Sequence, residues 1–156
     1  VKLETEQDRA KETLVVRRLF TSAPDIQWHP FPTFSAVDYV CVREGRVLHA
    51  VEVKTRTESM AKVRQYPGGL LLKRRKFNEL IQIEQLLNIP AYACFGFSNG
   101  TGHVVAARPA TIDPWSIADH DIGRRDRDLN CDLEPVVLLD WDKDLTHWLD
   151  PLAEDL

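Results

Sequence analysis

No stretch of this chain is long and apolar enough to cross a bilayer, so no membrane association is expected. Cysteine is scarce: Cys41, Cys94 and Cys131 show no pair spacing, which argues against a disulfide framework and suits a reducing compartment. No Cys/His spacing resembles a zinc site, and His103, His120 and His147 lack partners at ligand spacing. A glycine-rich phosphate loop, a serine-hydrolase elbow and a dinucleotide fingerprint are all absent, as are internal repeats and low-complexity tracts. An excess of positive charge is missing too: Lys and Arg number 20 against 24 Asp and Glu, a net charge of −4. That balance does not advertise a nucleic-acid binder, but local charge matters more than the sum. Basic residues gather at Arg17-Arg18, Lys73-Arg74-Arg75-Lys76, and Arg124-Arg125 with Arg127, while acid concentrates between Asp140 and Asp155. The segment Val1 to Arg9 is charged throughout, unlike a signal peptide, and a cytoplasmic location is expected.

What the chain does have is an ordinary globular composition, 44% apolar and 28% charged over 156 residues, enough for one domain with a real core. Apolar periodicity predicts a helix from about Glu4 to Ser22. A proline-containing loop, Ala23 to Ser35, precedes two strands, Ala36–Val42 and Arg46–Thr55, joined by Arg43-Glu44-Gly45. The stretch Arg56 to Leu72 reads as polar loop, and a second helix spans Lys73 to Leu87 before Pro90. Strands follow at Ala91–Ser98 and His103–Ala107. Arg108 to Glu134 reads as irregular, with a short helix around Trp115–Ala118. A late strand is expected at Pro135–Trp141 and a short amphipathic helix at Asp142–Leu149. This order implies a single α/β (α+β) domain with a central mixed β-sheet flanked by helices, its core about residues 4–107 and a C-terminal extension about 108–156.

Within the first two strands lie Asp38 and, fourteen residues later, Glu52-Val53-Lys54. Three ionised groups in apolar runs are costly unless something compensates them. One alternative is a solvated Glu-Lys pair on an exposed strand face. The other is a divalent cation held by both carboxylates. The turn decides between geometries. With Gly45 in the left-handed position after a type I turn, Val42 pairs with Arg46 and Asp38 faces Ala50, so Asp38, Glu52 and Lys54 share one side. A two-residue turn on Glu44-Gly45 instead moves Asp38 to the other side.

Carboxylates are hard ligands suited to Mg²⁺ or Mn²⁺, and the backbone carbonyl of Val53 points to the same region. Such an ion polarises a phosphate and acidifies a water, and Lys54 would position that water and stabilise developing charge. The chemistry expected of this set is phosphodiester hydrolysis.

The pattern Val37-Asp38, then Val51-Glu52-Val53-Lys54-Thr55, resembles the PD-(D/E)xK nuclease superfamily, with its restriction-endonuclease-like αβββαβ core. The helix opening Lys73-Arg74-Arg75-Lys76-Phe77 and the strand Ala91 to Phe95 extend the resemblance to about Ala107. Its outline is similar to Holliday-junction resolvases and small phage nucleases. Val37 stands where the family has proline. The resemblance implies that Asp38 and Glu52 bind metal and that Lys54 is catalytic. It also implies a first-helix glutamate near the metal, Glu6 with Glu12 as alternative, though both also read as surface acids favoured near a helix N-terminus. Lys76, Lys73 and Arg74 are candidate phosphate contacts, and Tyr66 a candidate at the rim of the cleft. The implied function is a metal-dependent, structure-selective DNA endonuclease, a class that often works as a homodimer. The alternatives are an exonuclease or RNA endonuclease with the same metal site, and a non-catalytic nucleic-acid-binding or assembly protein with the same fold.

Overall fold

The computed structural model describes residues 6–31, 37–113, 118–123 and 133–152. Helix α1, Glu6–Ser22, opens the chain. Strands β1, Gln27–Pro30, β2, Tyr39–Arg43, and β3, Arg46–Thr55, follow as an antiparallel meander. A short helix α2, Met60–Val63, and strand β4, Leu70–Lys73, lead into helix α3, Arg74–Leu87. Then come β5, Ala91–Gly96, β6, Val104–Ala107, β7, Ala118–Gly123, β8, Leu133–Leu139, and β9, Thr146–Leu149.

Six strands form one sheet in the order β1-β2-β3-β5-β6-β9, and β4-β8-β7 form a second. β3 and β5 pair in parallel while the remaining pairs are antiparallel, so the central sheet is mixed. The parallel crossover from β3 to β5 carries α2, β4 and α3, as a parallel pair requires.

Both faces of the central sheet are covered, which explains why Ala50, Val51, Glu52 and Val53 are buried in succession. On one face Val15 and Leu19 of α1 pack on Cys41, Val51, Val53, Cys94, Val104 and Ala106. Close approach of α1 depends on Gly96, where an added Cβ would lie 2.5 Å from Val15 Cγ2. On the other face Phe77 and Leu80 of α3 join Ala50, Ala93 and Phe95, with Leu70, Leu72, Val137 and Leu139 from the second sheet. Phe77 and Leu80 are at most 1% exposed, and each such burial contributes roughly 1.5–3 kcal/mol. α3 ends at Asn88 in the left-handed conformation, just before Pro90. Its Glu84 takes Arg108 Nε and Nη2 at 2.9 and 2.8 Å and the Ala91 N–H at 3.0 Å, pinning the helix to β5 and the end of β6.

Several expected loops contain strands. β1 lies in the proline loop, where it pairs with β2, and β7 lies in the segment expected to be irregular. β4 lies in the polar stretch, where Leu70 and Leu72 point into the core. The helix expected at Asp142–Leu149 is not formed. Asp140 Oδ1 accepts the N–H groups of Asp142 and Lys143, both at 2.9 Å, so a turn begins as a capped helix would. The chain then becomes extended, because β9 pairs along the edge of β6. Residues 114–117, which hold most of the short helix expected around Trp115, lie outside the described residues, as do Arg124, Arg125, Arg127 and Cys131. Among the described residues no helix is long and apolar enough to cross a membrane.

Candidate metal centre

The hairpin register differs from the one expected. Glu44 and Gly45 both have positive φ, 50° and 76°, so they form a two-residue turn and Arg43 pairs with Arg46. That turn alone would have inverted β2. A bulge corrects it: Val42 pairs with Val47 but Cys41 with His49, which leaves Leu48 as the extra residue. Val40 therefore pairs with Ala50 and lies on the side of Glu52 and Lys54. Asp38 does not face Ala50, as expected; it sits where β2 parts from β3. Its N–H donates to Val51 O at 3.0 Å, and its Oδ2 accepts the Val53 N–H at 2.7 Å. The Asp38 carboxylate thus lies along the edge of β3. In an extended strand a residue's N–H and C=O leave on the same edge, so the Val53 carbonyl opens where Asp38 sits.

Glu52 is the buried charged residue among the described residues, 6% exposed. Its Oε1 lies 3.2 Å from Lys54 Nζ and 3.5 Å from Lys76 Nζ, and Lys76 also reaches Glu79 Oε2 at 3.1 Å. Glu52 Oε2 is buried and has no hydrogen-bond partner. An orphaned carboxylate oxygen in the interior is costly. The Asp38 carboxyl is pushed up to about 6, first by burial and then by the charge of Glu52, against the pull of the Val53 N–H, Lys54 and Lys76. The Asp38 carboxyl beside the Glu52 carboxylate, whose second oxygen is unpartnered, forms a donor set suited to a hard divalent cation.

Of the other expected residues, Lys76 contacts this pair, at Glu52. Glu6 is exposed in the first turn of α1, whereas Glu12 is half-buried. Burial raises the Cys94 thiol pKa, and the charges of Cys41, Asp38 and Glu12 raise it further. Lys76, on the first turn of α3, reaches the site directly. Lys73 is the residue just before α3, and the Arg74 guanidinium stands over the Phe77 ring at 5.8 Å. Tyr66 is half-exposed and donates its hydroxyl to Glu58 Oε2 at 2.8 Å.

Two features were not foreseen. Arg56 follows Lys54 on the same side of the sheet, with its guanidinium 5.5 Å from the Phe95 ring centre. Strand alternation through Glu52, Lys54 and Arg56 was the available signal, hidden because Arg56 reads as the start of a polar loop. Secondly, His103, His147 and Asp150 bring ligand atoms within 4.8 Å of one another, although their sequence spacing gave no hint. The β6–β9 pairing assembles them, at the far edge of the central sheet from β2.

A family model described as "Phage putative PDDEXK endonuclease" matches residues 1–145. Among solved structures, Hjc, a Holliday junction resolvase from Archaeoglobus fulgidus, is similar at 17% identity and a TM-score of 0.47. That match covers 66% of this chain and 76% of the resolvase. No curated protein matches. With the family model spanning nearly the whole sequence, on a mixed sheet flanked by helices, the chain belongs to the phage PDDEXK endonuclease family, a family of nucleases.

Proposed function

We propose that this chain is a divalent-metal-dependent nuclease that cuts DNA phosphodiester bonds within the strand and selects substrates by structure. The observation that carries this reading is the buried Glu52 carboxylate, with one oxygen between two lysines and the other unpartnered, beside the Asp38 carboxylate. Asp38, Glu52 and the Val53 carbonyl would hold Mg²⁺ or Mn²⁺. Of the first-helix acids, the half-buried Glu12 is a better candidate for this group than the exposed Glu6. When bound, the ion supplies the positive charge that two buried carboxylates need, polarises the scissile phosphate and acidifies a water.

The chain's own groups do the rest. Lys54 orients the attacking water and stabilises charge growing on the phosphoryl oxygens. Lys76 holds Glu52 in place and offers an ammonium to a phosphate oxygen. Lys73 and Arg74, at the start of α3, add phosphate contacts, and Tyr66 rims the cleft. Contacts of this kind fix position without reading sequence, so binding should weaken steeply with salt. Substrates with two strands to cut suit a homodimer.

The test is cleavage of supercoiled, branched and single-stranded DNA and of single-stranded RNA, each with Mg²⁺, Mn²⁺ or chelator. Branched DNA should be cut fastest, circular DNA should be nicked, and Lys54→Ala should bind without cutting. Binding with no metal-dependent cleavage by the native chain would instead indicate a binding or assembly protein. Attack confined to linear ends would indicate an exonuclease, and cutting of RNA alone an RNA endonuclease.

A further inference from the structure

Arg56 is a cation just past the end of β3 that stands over the Phe95 ring. Its side chain is half-buried, and its hydrogen bonds go to two backbone carbonyls, Thr55 O at 3.3 Å and Leu71 O at 3.4 Å. Both are long for bonds from a cation. No carboxylate pairs with it among the described residues, and burial lowers its pKa. A half-buried guanidinium with unspent donors is stabilised by an anion, and its planar fork matches a phosphate.

The surroundings indicate which anion. Continued strand alternation places Arg56, just past the end of β3, on the side of Glu52 and Lys54 and about 6–7 Å beyond Lys54. It borders an open cavity of about 750 Å³, walled mainly by apolar atoms that include Val63, Leu71 and Leu138. This volume is in the range that holds a small organic ligand. Tyr66 stands at the wall, half-exposed, with its hydroxyl on Glu58. Glu58 offers acceptors suited to the N–H edge of a base and disfavours a second phosphate there. An isolated inorganic anion would leave the apolar walls unused. A nucleotide uses the cation, the aromatic face and the walls together.

We propose that this cavity receives one unstacked nucleotide of the substrate strand beside the scissile phosphate, with Arg56 on its phosphate and Tyr66 against its base. The proposal rests on the nuclease reading and narrows its substrate to DNA with an unpaired nucleotide at the cut site. A fully paired duplex would first have to unstack a base, which carries an energetic cost.

The test measures equilibrium binding in chelator, so that no cleavage occurs. The probes are a fully paired duplex and a flapped duplex carrying 2-aminopurine at the junction nucleotide. The native chain should prefer the flap by about tenfold, as one base stacked on an aromatic ring allows. The 2-aminopurine fluorescence should change on binding. Tyr66→Ala, at an exposed position, should remove the fluorescence change and most of the preference. Arg56→Lys keeps the charge but not the fork, and should weaken flap binding more than duplex binding. A preference and fluorescence change that survive in both variants would overturn the pocket, as would equal binding of the two probes by the native chain. Cleavage with Mg²⁺ or Mn²⁺ is scored separately. A flap preference lost in the variants, without cleavage by the native chain, supports the pocket and removes the nuclease reading. Cleavage with an unaltered preference removes the pocket alone.

Discussion

Val53 gives its backbone N–H to the Asp38 carboxylate at 2.7 Å, so a side chain takes the place that a β2 carbonyl would fill if the two strands stayed paired. The parting of β2 from β3 therefore leaves no orphaned donor at Val53. It brings Asp38 close enough for the Glu52 charge to raise its pKa.

Asp38→Asn should stabilise the metal-free protein while abolishing cleavage. The Asp38 pKa is about 6 folded against an ordinary value of 3.8. A carboxyl that holds its proton more tightly folded than unfolded makes folding less favourable as pH rises through that window. The cost is fully present above about 6 and vanishes below the ordinary value. Asparagine carries no such cost. In chelator at neutral pH the variant should melt a few degrees higher, an effect of at most ~3 kcal/mol. The gain should disappear near pH 3.5–4. A variant less stable than the native chain at neutral pH contradicts this.

Metal affinity should fall with acidity over the same window. Protons and a cation compete for Asp38, so Mn²⁺ binding should weaken by up to about tenfold for each pH unit below about 6. Calorimetric titrations between pH 5 and 7.5 would show this; an affinity unchanged over that range would place the ion elsewhere.

Lys54→Ala should reduce the cleavage rate about 10²–10³-fold, with DNA affinity changed only about two- to threefold. Single-turnover rates and binding in chelator, measured on one substrate, separate the two quantities. Equal losses in both would make Lys54 a binding group rather than a catalytic one.

Lys76→Met should behave differently. The lysine side chain is 13% exposed and lies between Glu52 and Glu79, so its removal leaves Glu52 with one cation fewer. A loss of about 2–4 kcal/mol in chelator is expected, narrowed by saturating Mn²⁺ as the ion takes over the compensation. Urea unfolding with and without Mn²⁺ measures both. The same loss in both conditions would mean that Lys76 and the ion do not share Glu52.

The gathering of Asp38, Glu52 and Lys54 was legible in the sequence, because charged residues in apolar strands are informative by residue type and position alone, whereas Lys76 was expected as a phosphate contact and not as a partner of Glu52. The route to that gathering was not legible. The Glu44-Gly45 turn and the Leu48 bulge each shift the register by one residue, and no local residue signals the bulge. The trileucine β4 was hidden in a polar stretch because its pairing partner, β8, lies more than sixty residues later. At β9 the capped turn at Asp140 read as the start of a helix, and only the open edge of β6 decides otherwise. The histidine pair depends on the β6–β9 pairing, which residue spacing does not record.

Asp38 and Glu52 are the proposed holders of the ion, and His103, His147 and Asp150 form a rival cluster of ligand atoms at the far sheet edge. Anomalous diffraction from crystals soaked in Mn²⁺ separates the two sites. A peak bridging the Asp38 and Glu52 carboxylates, lost in Glu52→Gln, is the predicted result. A peak confined to the histidine cluster, with none beside Glu52, would contradict it.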